Sequence, residues 1–300
     1  MANFKEIRTR IASVASTRQI TSAMKMVAAA KLKKAQDTIV NFRPYALKMQ
    51  EIIANVASSL EGNFDTAYAE AREYQKALIV VITSNRGLCG AFNSNAIKEA
   101  VQLAERKYGN RPVPVEIRYM TIGKKGYDAL RKRKLRLETP NTGIIDRPSY
   151  ENAAEVAQLL MDGFVAGNYD CIDIVYNEFV NAASQKVVCR QFLPLLPEEQ
   201  RTDKGKKPKE KSQPVDYIYE PTKQTILDEL IPQNLRLTLY RALLDSVASE
   251  FGARMTSMHQ ATDNATTLMK ELTLQYNKAR QAAITNEIVE IVSGAEALKG

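Results

Sequence analysis

The sequence has no tryptophan, one histidine and three cysteines among 300 residues. His259 has no second imidazole to share a metal or relay a proton, and a lone histidine is most often a helix-surface or interface residue. Cys89, Cys171 and Cys189 are odd in number, far apart and without metal-ligand spacing. That suits reduced thiols in a cytosol-like compartment. No run of about 18 apolar residues occurs, so no membrane-spanning helix is expected. No Ser/His/Asp set, metal cluster or carboxylate pair stands out, so an autonomous enzyme is not expected, and no catalytic residue, cofactor or metal is assigned. Acid is scarce at the start: residues 1–60 carry ten Lys or Arg against Glu6, Asp37 and Glu51.

Apolar residues make up 45% of the chain, enough for a folded core. The net charge of +8 is uneven, with +7 in residues 1–60 and −1 in residues 222–300. A basic N-terminal arm suits nucleic acid, an anionic membrane surface or an acidic protein partner. It also mimics a transit peptide, because the first 36 residues are amphipathic and nearly free of acid. Periodicity opposes that last possibility. Alternating steps of four and three from Ile7 reach Ile11, Val14, Arg18, Thr21, Lys25, Ala28, Leu32 and on to Leu60, and thirteen of the sixteen positions are apolar. This is a coiled-coil seam over seven heptads, and a cleaved peptide would not share one register with the mature chain.

Residues 3–60 are therefore expected to form one helix, roughly 85 Å long, with Pro44 as a kink. The exceptions Arg18, Thr21 and Lys25 fall together, and a second stripe of Ile20, Met24 and Val27 appears beside them, rotated off the seam. There, in "ITSAMKMVAAAKLKKAQ", the helix offers a face to something other than its coiled-coil partner. A second seam runs from Leu237 through Met258, Thr262, Ala265 and Leu272 to Ala283, then jumps one position to Ile284, Ile288, Ile291, Ala295 and Leu298. The jump marks a local change of supercoil, at which Arg280, Gln281 and Thr285 leave the seam. Two long seams at opposite ends of one chain pair most economically with each other, antiparallel.

The middle reads as α/β. "ALIVVITS" at 77–84 is an apolar, β-branched run suited to a strand buried on both faces. "VEIRYMTIG" at 115–123 and "CIDIVYNEFV" at 171–180 are further strands, with "QKVVCRQFLPL" as an antiparallel neighbour and helical segments between them. This alternation predicts a three-layer α/β domain. The domains are 1–60 and 222–300 as coiled-coil helices and 75–220 as the α/β middle, with 196–214, "LPEEQRTDKGKKPKEKSQP", as a mobile charged loop. "SNRGLCGAFN" after the first strand lacks the spacing of a phosphate loop or a dinucleotide fingerprint. Arg86 with two glycines suits an anion nest, but a conformational role for Gly87 and Gly90 at a strand-to-helix turn is the simpler assignment.

The chain resembles the gamma subunits of F-type ATP synthases. "IRTRIASVASTRQITSAMKMVAAAKLKKAQ" is similar to that family's N-terminal signature, "SNRGLCGAFN" to its central turn, and "SEFGARMTSMHQATDNATTLMKELTLQYNKARQAAITNEIVEIVSGAEAL" to its C-terminal signature. The resemblance covers nearly all of residues 3–298, including "DYIYEP" at 216–221. It implies a long antiparallel coiled coil of the terminal helices plus a Rossmann-like α/β middle domain. It further implies a non-catalytic rotor shaft turning inside three alpha and three beta subunits, with the epsilon subunit and a membrane ring of ion-carrying c subunits as further partners. By resemblance Met24, Lys25, Arg280, Gln281 and Thr285 touch the beta subunits, and Ile288, Ile291 and Leu298 form the tip in the upper bearing. Small and pliable Ala and Met suit such a bearing because they repack at successive orientations. The 196–214 loop is longer than the common bacterial form and lacks the cysteine pair of chloroplast relatives, so thiol regulation is not expected. The methionyl start within the helix implies a bacterial protein, peripheral at the cytoplasmic face of the cell inner membrane.

Two other classes compete. A coiled-coil scaffold binding nucleic acid through residues 1–48 is opposed by sparse aromatics there, only Phe4, Phe42 and Tyr45, and no nucleic-acid partner is expected. A nucleotide-dependent α/β enzyme requires that the isolated chain turn over a substrate. The charged loop generates a prediction of its own. Deletion of Thr202 to Ser212 should leave the thermal unfolding midpoint within about 2 °C, because a polar segment without periodicity buries little apolar surface. A chain that fails to fold after this deletion would make the loop part of the core.

Overall fold

The computed structural model describes residues 4–58, 66–70, 72–109, 111–195, 220 and 222–297. The charged stretch 196–214, Leu60 and Leu298 lie outside the described residues. Two helices hold the ends of the chain, α1 (Phe4–Ser58) and α6 (Lys223–Ala297). Pro44 and Pro232 both lie inside these helices, which continue through them. Two compact units result. One joins α1 up to Ala29 with α6 from Arg254 onward, and the other is Ala30–Ala253.

The larger unit is built on a four-stranded sheet of order β2-β1-β3-β4. The strands are β1 (Lys76–Ile82), β2 (Glu116–Ile122), β3 (Cys171–Asn181) and β4 (Ser184–Leu193). β1 is parallel to both β2 and β3, with Val80 opposite Met120 on one side and Ile174 on the other. A strand flanked on both edges and covered on both faces needs apolar residues at every position, which "ALIVVI" supplies. β4 returns antiparallel to β3 after a two-residue turn, as its sequence predicts.

Alternation along the strands separates two faces. Ala77, Ile79, Val81, Cys171 and Val175 pack against α2 (Phe92–Tyr108) and α3 (Lys124–Lys132), through Ala96, Ala100, Leu103 and Leu130. The opposite face carries Leu78, Val80, Ile82, Ile172 and Ile174, all buried. There α5 (Tyr150–Val165), preceded by the short α4 (Gly143–Asp146), lies beside the first half of α6. Arg236 donates to Gln158 at 2.7 Å, and Tyr150 meets Tyr240 edge to face. Tyr240 also takes Phe42 of α1 edge to face at 5.1 Å, and Lys31 lies 5.3 Å over the Phe251 ring. As numbering rises from 31 to 42 on α1 it falls from 251 to 240 on α6, so the helices are antiparallel here. The segment 136–141 bonds along the free edge of β2, with Glu138 N–H donating to the Tyr119 carbonyl at 2.8 Å, and so shields one exposed edge.

Two buried polar features sit in this unit. Lys107 donates to both Asp173 oxygens, at 2.7 and 2.9 Å, and to Gln191 at 3.0 Å, while the Tyr108 hydroxyl donates to Asp173 at 2.6 Å. Burial opposes the Lys107 charge, yet the Asp173 carboxylate outweighs it and the amine is held above its ordinary value. Asp245 of α6 is less well served. Burial pushes it up to about 6, and Arg241, 3.9 Å away, offsets this only in part.

A carboxyl raised in the folded chain keeps its proton between about pH 4 and 6, where the unfolded chain has released it. Folding stability contributed by this group therefore falls as pH rises through that window. Asp245→Asn should raise unfolding free energy by about 2–3 kcal/mol at pH 7.5 and by much less at pH 4. Urea denaturation at both pH values checks this, and an equal gain at both would remove Asp245 as its source.

Candidate functional site

In the smaller unit the two helices meet through small side chains interleaved with a few large apolar ones. Ile7, Thr21 and Ala28 of α1 are buried, as are Met258, Ala265 and Leu272 of α6. Alanine permits close approach of two helix backbones, and Ile7, Met258 and Leu272 add dispersion contacts between the alanine positions. Thr21, set aside in the sequence as an exception to the seam, belongs to it. Thr262 donates to the Thr21 hydroxyl at 2.8 Å, and Thr21 in turn donates to the Arg18 carbonyl at 3.1 Å. A hydroxyl that returns its proton to its own helix can be buried without leaving a polar group unsatisfied.

This contact fixes the register. Antiparallel facing positions keep a constant sum, so if Thr21 faces Thr262, the first described residue Phe4 faces the neighbourhood of Ala279. Beyond it α6 continues to Ala297 with no stretch of α1 alongside, and every residue from Arg280 to Glu296 is exposed. This corrects the expectation that the seam resumes after the jump. Ile284, Ile288 and Ile291 do not face α1; Ile288 is 55% and Ile291 70% exposed, and Val289 and Val292 are exposed with them. The physical reason is length: the apolar period persists in α6 where its partner helix has run out.

Of the residues singled out in the sequence, Arg280, Gln281 and Thr285 are exposed on this projecting stretch, with the Thr285 hydroxyl bonded to the Gln281 carbonyl at 2.9 Å. Met24 and Lys25 are half-buried at the margin of the seam. Leu298 lies outside the described residues. The five candidate contact residues do not form one cluster. Lys25 stands near the level of Met258, and the 22 residues from there to Arg280 span roughly 33 Å of helix.

Two levels of one helical pair carry them. At the first level Ile20, Met26 and Val27 are exposed, and a shallow groove of about 430 Å³ runs beside Arg18, Ser22, Met26, Thr262 and Thr266. Met26, Val289 and Val292 escaped the sequence reading; their signal was an apolar residue off the seam. Such contiguous exposed apolar surface marks an interaction site.

Among the described residues at these levels no catalytic set stands out. His259 is exposed and 3.2 Å from Asp263 on the same helix, and no metal-binding group of His, Cys, Asp or Glu occurs among the described residues. In the larger unit a nucleotide would be held beyond the carboxyl ends of β1 and β3, where the strand order reverses. There the turn after β1 closes on itself. Asn93 accepts from the Ser84 amide at 2.9 Å and donates to the Ser84 hydroxyl at 2.8 Å and to Cys89 at 3.2 Å, while Ser84 donates to the Arg86 carbonyl at 2.6 Å. Cys89 and Phe92 then pack on Ala253. The left-handed positions are Leu88 and Gly90, at φ 63° and 58°. Gly87 has no such torsion and a Cβ there would meet nothing within 4 Å, so the conformational role expected of it falls to its neighbours.

Long terminal helices with exposed apolar levels, beside an α/β domain in the same chain, define the class as an α/β protein with interaction surfaces on its helices. The ATP synthase family profile matches residues 3–298. The gamma chain of Flavobacterium psychrophilum ATP synthase is 54% identical over 300 residues, all of both chains. That of Cytophaga hutchinsonii is 48% identical over 298 residues, 99% of each. Among solved structures, the central stalk and c-ring of Tetrahymena thermophila mitochondrial ATP synthase matches with TM-score 0.55 and 29% identity, covering 81% of this chain and 99% of that one. The rotor of the Euglena gracilis enzyme shares the fold, with TM-score 0.64 and 23% identity over 94% and 98% of the two chains. The chain belongs to the ATP synthase family, among its gamma chains.

The register separates two substitutions that look alike in sequence. Leu272→Asp puts a carboxylate into the buried seam and should destabilise the helical pair by about 3 kcal/mol or more. Ile288→Asp falls on exposed surface and should change stability by less than about 0.5 kcal/mol. Chemical denaturation of the two full-length variants checks this, and equal losses would put Ile288 back into the seam.

Proposed function

We propose that the chain works by contact alone, at the two levels of the helical pair. It is the central rotor-shaft subunit of an F-type ATP synthase and performs no chemistry itself. Ion flow turns a membrane ring of c subunits, the ring turns the shaft with its epsilon subunit, and the shaft turns inside three alpha and three beta subunits. An asymmetric shaft gives each beta site different contacts in turn, and differential contact at each stop is what shifts an equilibrium between nucleotide states. The protein is a peripheral part of a membrane-bound complex, and we place it at the cytoplasmic face of the cell inner membrane.

The observation that carries this reading is the projecting stretch of α6, where isoleucine and valine are exposed over Arg280–Glu296. Such a surface suits enclosure by a ring of partners. In this proposal Met24, Lys25, Arg280, Gln281 and Thr285 meet the beta subunits, and Ile288, Ile291 and Leu298 turn in the upper bearing. Residues 1–60 and 222–300 serve as shaft, and 75–220 as the domain that carries it.

Arg280 and Gln281 offer polar contacts, each hydrogen bond to a charged group being worth about 1.5–3 kcal/mol. Arg280→Ala with Gln281→Ala should leave the fold intact and lower ATP turnover of the assembled complex. Lys25→Met removes a charge and extends the apolar stripe, so it should impair coupling between hydrolysis and ion pumping. Both activities measured in the same membrane vesicles test the assignment. Full activity in all these variants would show that this face is not the working contact.

A further inference from the structure

The shaft reading leaves one surface of the larger unit unused. Residues 124–136 hold seven Lys or Arg against a single carboxylate, Asp128. α3 turns its inner side to the sheet, with Leu130 fully buried and the Gly126 amide donating to Thr83 at 2.9 Å. Its outer side and the turn that ends it expose Lys124, Lys125, Lys132, Arg133 and Lys134. Among the described residues none of these five has a carboxylate within 4.0 Å. The neighbouring cations behave differently: Arg136 is held by Glu116 at 2.6 Å, and Arg118 by Glu116 and Glu138 at 3.0 Å.

Basic residues in a last turn complement the helix dipole, but Lys124 and Lys125 stand in the first turn of α3, where the dipole opposes them. Lys134 adds a second observation. It sits at φ 56°, the left-handed position after a helix where glycine is favoured, with Leu135 N–H reaching the Leu130 carbonyl at 3.5 Å. The chain thus keeps a lysine at a torsion that glycine would adopt without strain.

We propose that the outer face of α3 and its closing turn form a docking site for the anionic phospholipid headgroups of a membrane surface. A groove of about 750 Å³ gives a phosphate room beside Lys124, Arg131 and Lys132; its lining also holds Asp128, the one carboxylate of the segment, which the three cations outnumber. A folded protein partner is disfavoured because no large apolar residue is exposed between 124 and 136 among the described residues, so the face lacks an anchor of the kind that dominates protein interfaces. Nucleic acid would answer to the same charge. The choice of membrane rests on membership of a membrane-bound complex. Clustered Lys and Arg bind such surfaces through the summed field, without insertion, and the attraction is screened by salt.

The test uses the soluble catalytic head assembled with this chain and epsilon, floated with vesicles of phosphatidylcholine containing 30% phosphatidylglycerol. Binding should be at least tenfold stronger than to pure phosphatidylcholine at 50 mM salt and should be lost at 500 mM. Lys132→Glu, Arg133→Glu and Lys134→Glu together should weaken it at least tenfold, with ATP hydrolysis by the soluble head unchanged. The milder Lys132→Gln, Arg133→Gln and Lys134→Gln set should weaken it by a smaller factor. The same reversals at Lys31, Lys33 and Lys34 of α1 should leave vesicle binding unchanged. No difference between the two vesicle types, insensitivity to the α3 reversals, or loss only with the α1 reversals would overturn the proposal. So would tighter binding to duplex DNA, added as competitor, than to the anionic vesicles.

Discussion

Close approach between α1 and α6 is the constraint on which the rest depends. The two helices come from opposite ends of the chain, so their contact closes a loop of some two hundred residues at an entropic cost. Small seam residues such as Ala28 and Ala265 bring the backbones together, and dispersion summed along a long interface offsets that cost. The α/β domain helps in its own unit, where the first half of α6 packs beside α5 and α1 meets α6 through Phe42 and Tyr240. Ile7, Met258 and Leu272 fill the seam between the alanines, and the outward face of the pair is left open for partners.

The larger unit shows a different solution to burial. Lys107, Asp173, Tyr108 and Gln191 satisfy one another at the sheet, so the charges stay and fix how α2 sits on β3 and β4. Asp245 has no comparable set of donors, and burial pushes it up to about 6, so its charge at neutral pH is a cost. Breaking the first cluster would leave a buried charge unpaired, whereas neutralising the second removes a burden. The same element, a buried carboxylate, thus has opposite consequences for stability according to its partners.

The turn after β1 illustrates how a motif is read for the wrong chemistry. Its glycines invite a phosphate, yet Ser84 and Asn93 bond to each other and Phe92 packs on Ala253. The turn joins strand, helix and α6, and its left-handed torsions fall at Leu88 and Gly90 rather than at Gly87. Sequence spacing exposes the absence of a nucleotide fingerprint, but not this positive role, because hydrogen bonds nine residues apart carry no periodic signal.

Sequence alone determined the two long helices, the parallel strands and the antiparallel return of β4, because period and β-branched runs are local properties of the chain. It also marked Ile20 and Val27 as lying off the seam, since rotation around a helix follows from numbering. Where the seam ends was decided only by tertiary structure. The apolar period runs on through Ile284, Ile288 and Ile291, but whether it is covered depends on how far the partner helix reaches, and Thr21 against Thr262 fixes that reach. The same contact showed Thr21 to be a seam residue, because a threonine's fitness for burial depends on what its hydroxyl meets. Register between segments hundreds of residues apart is a property of their contact, and no pattern within either segment contains it.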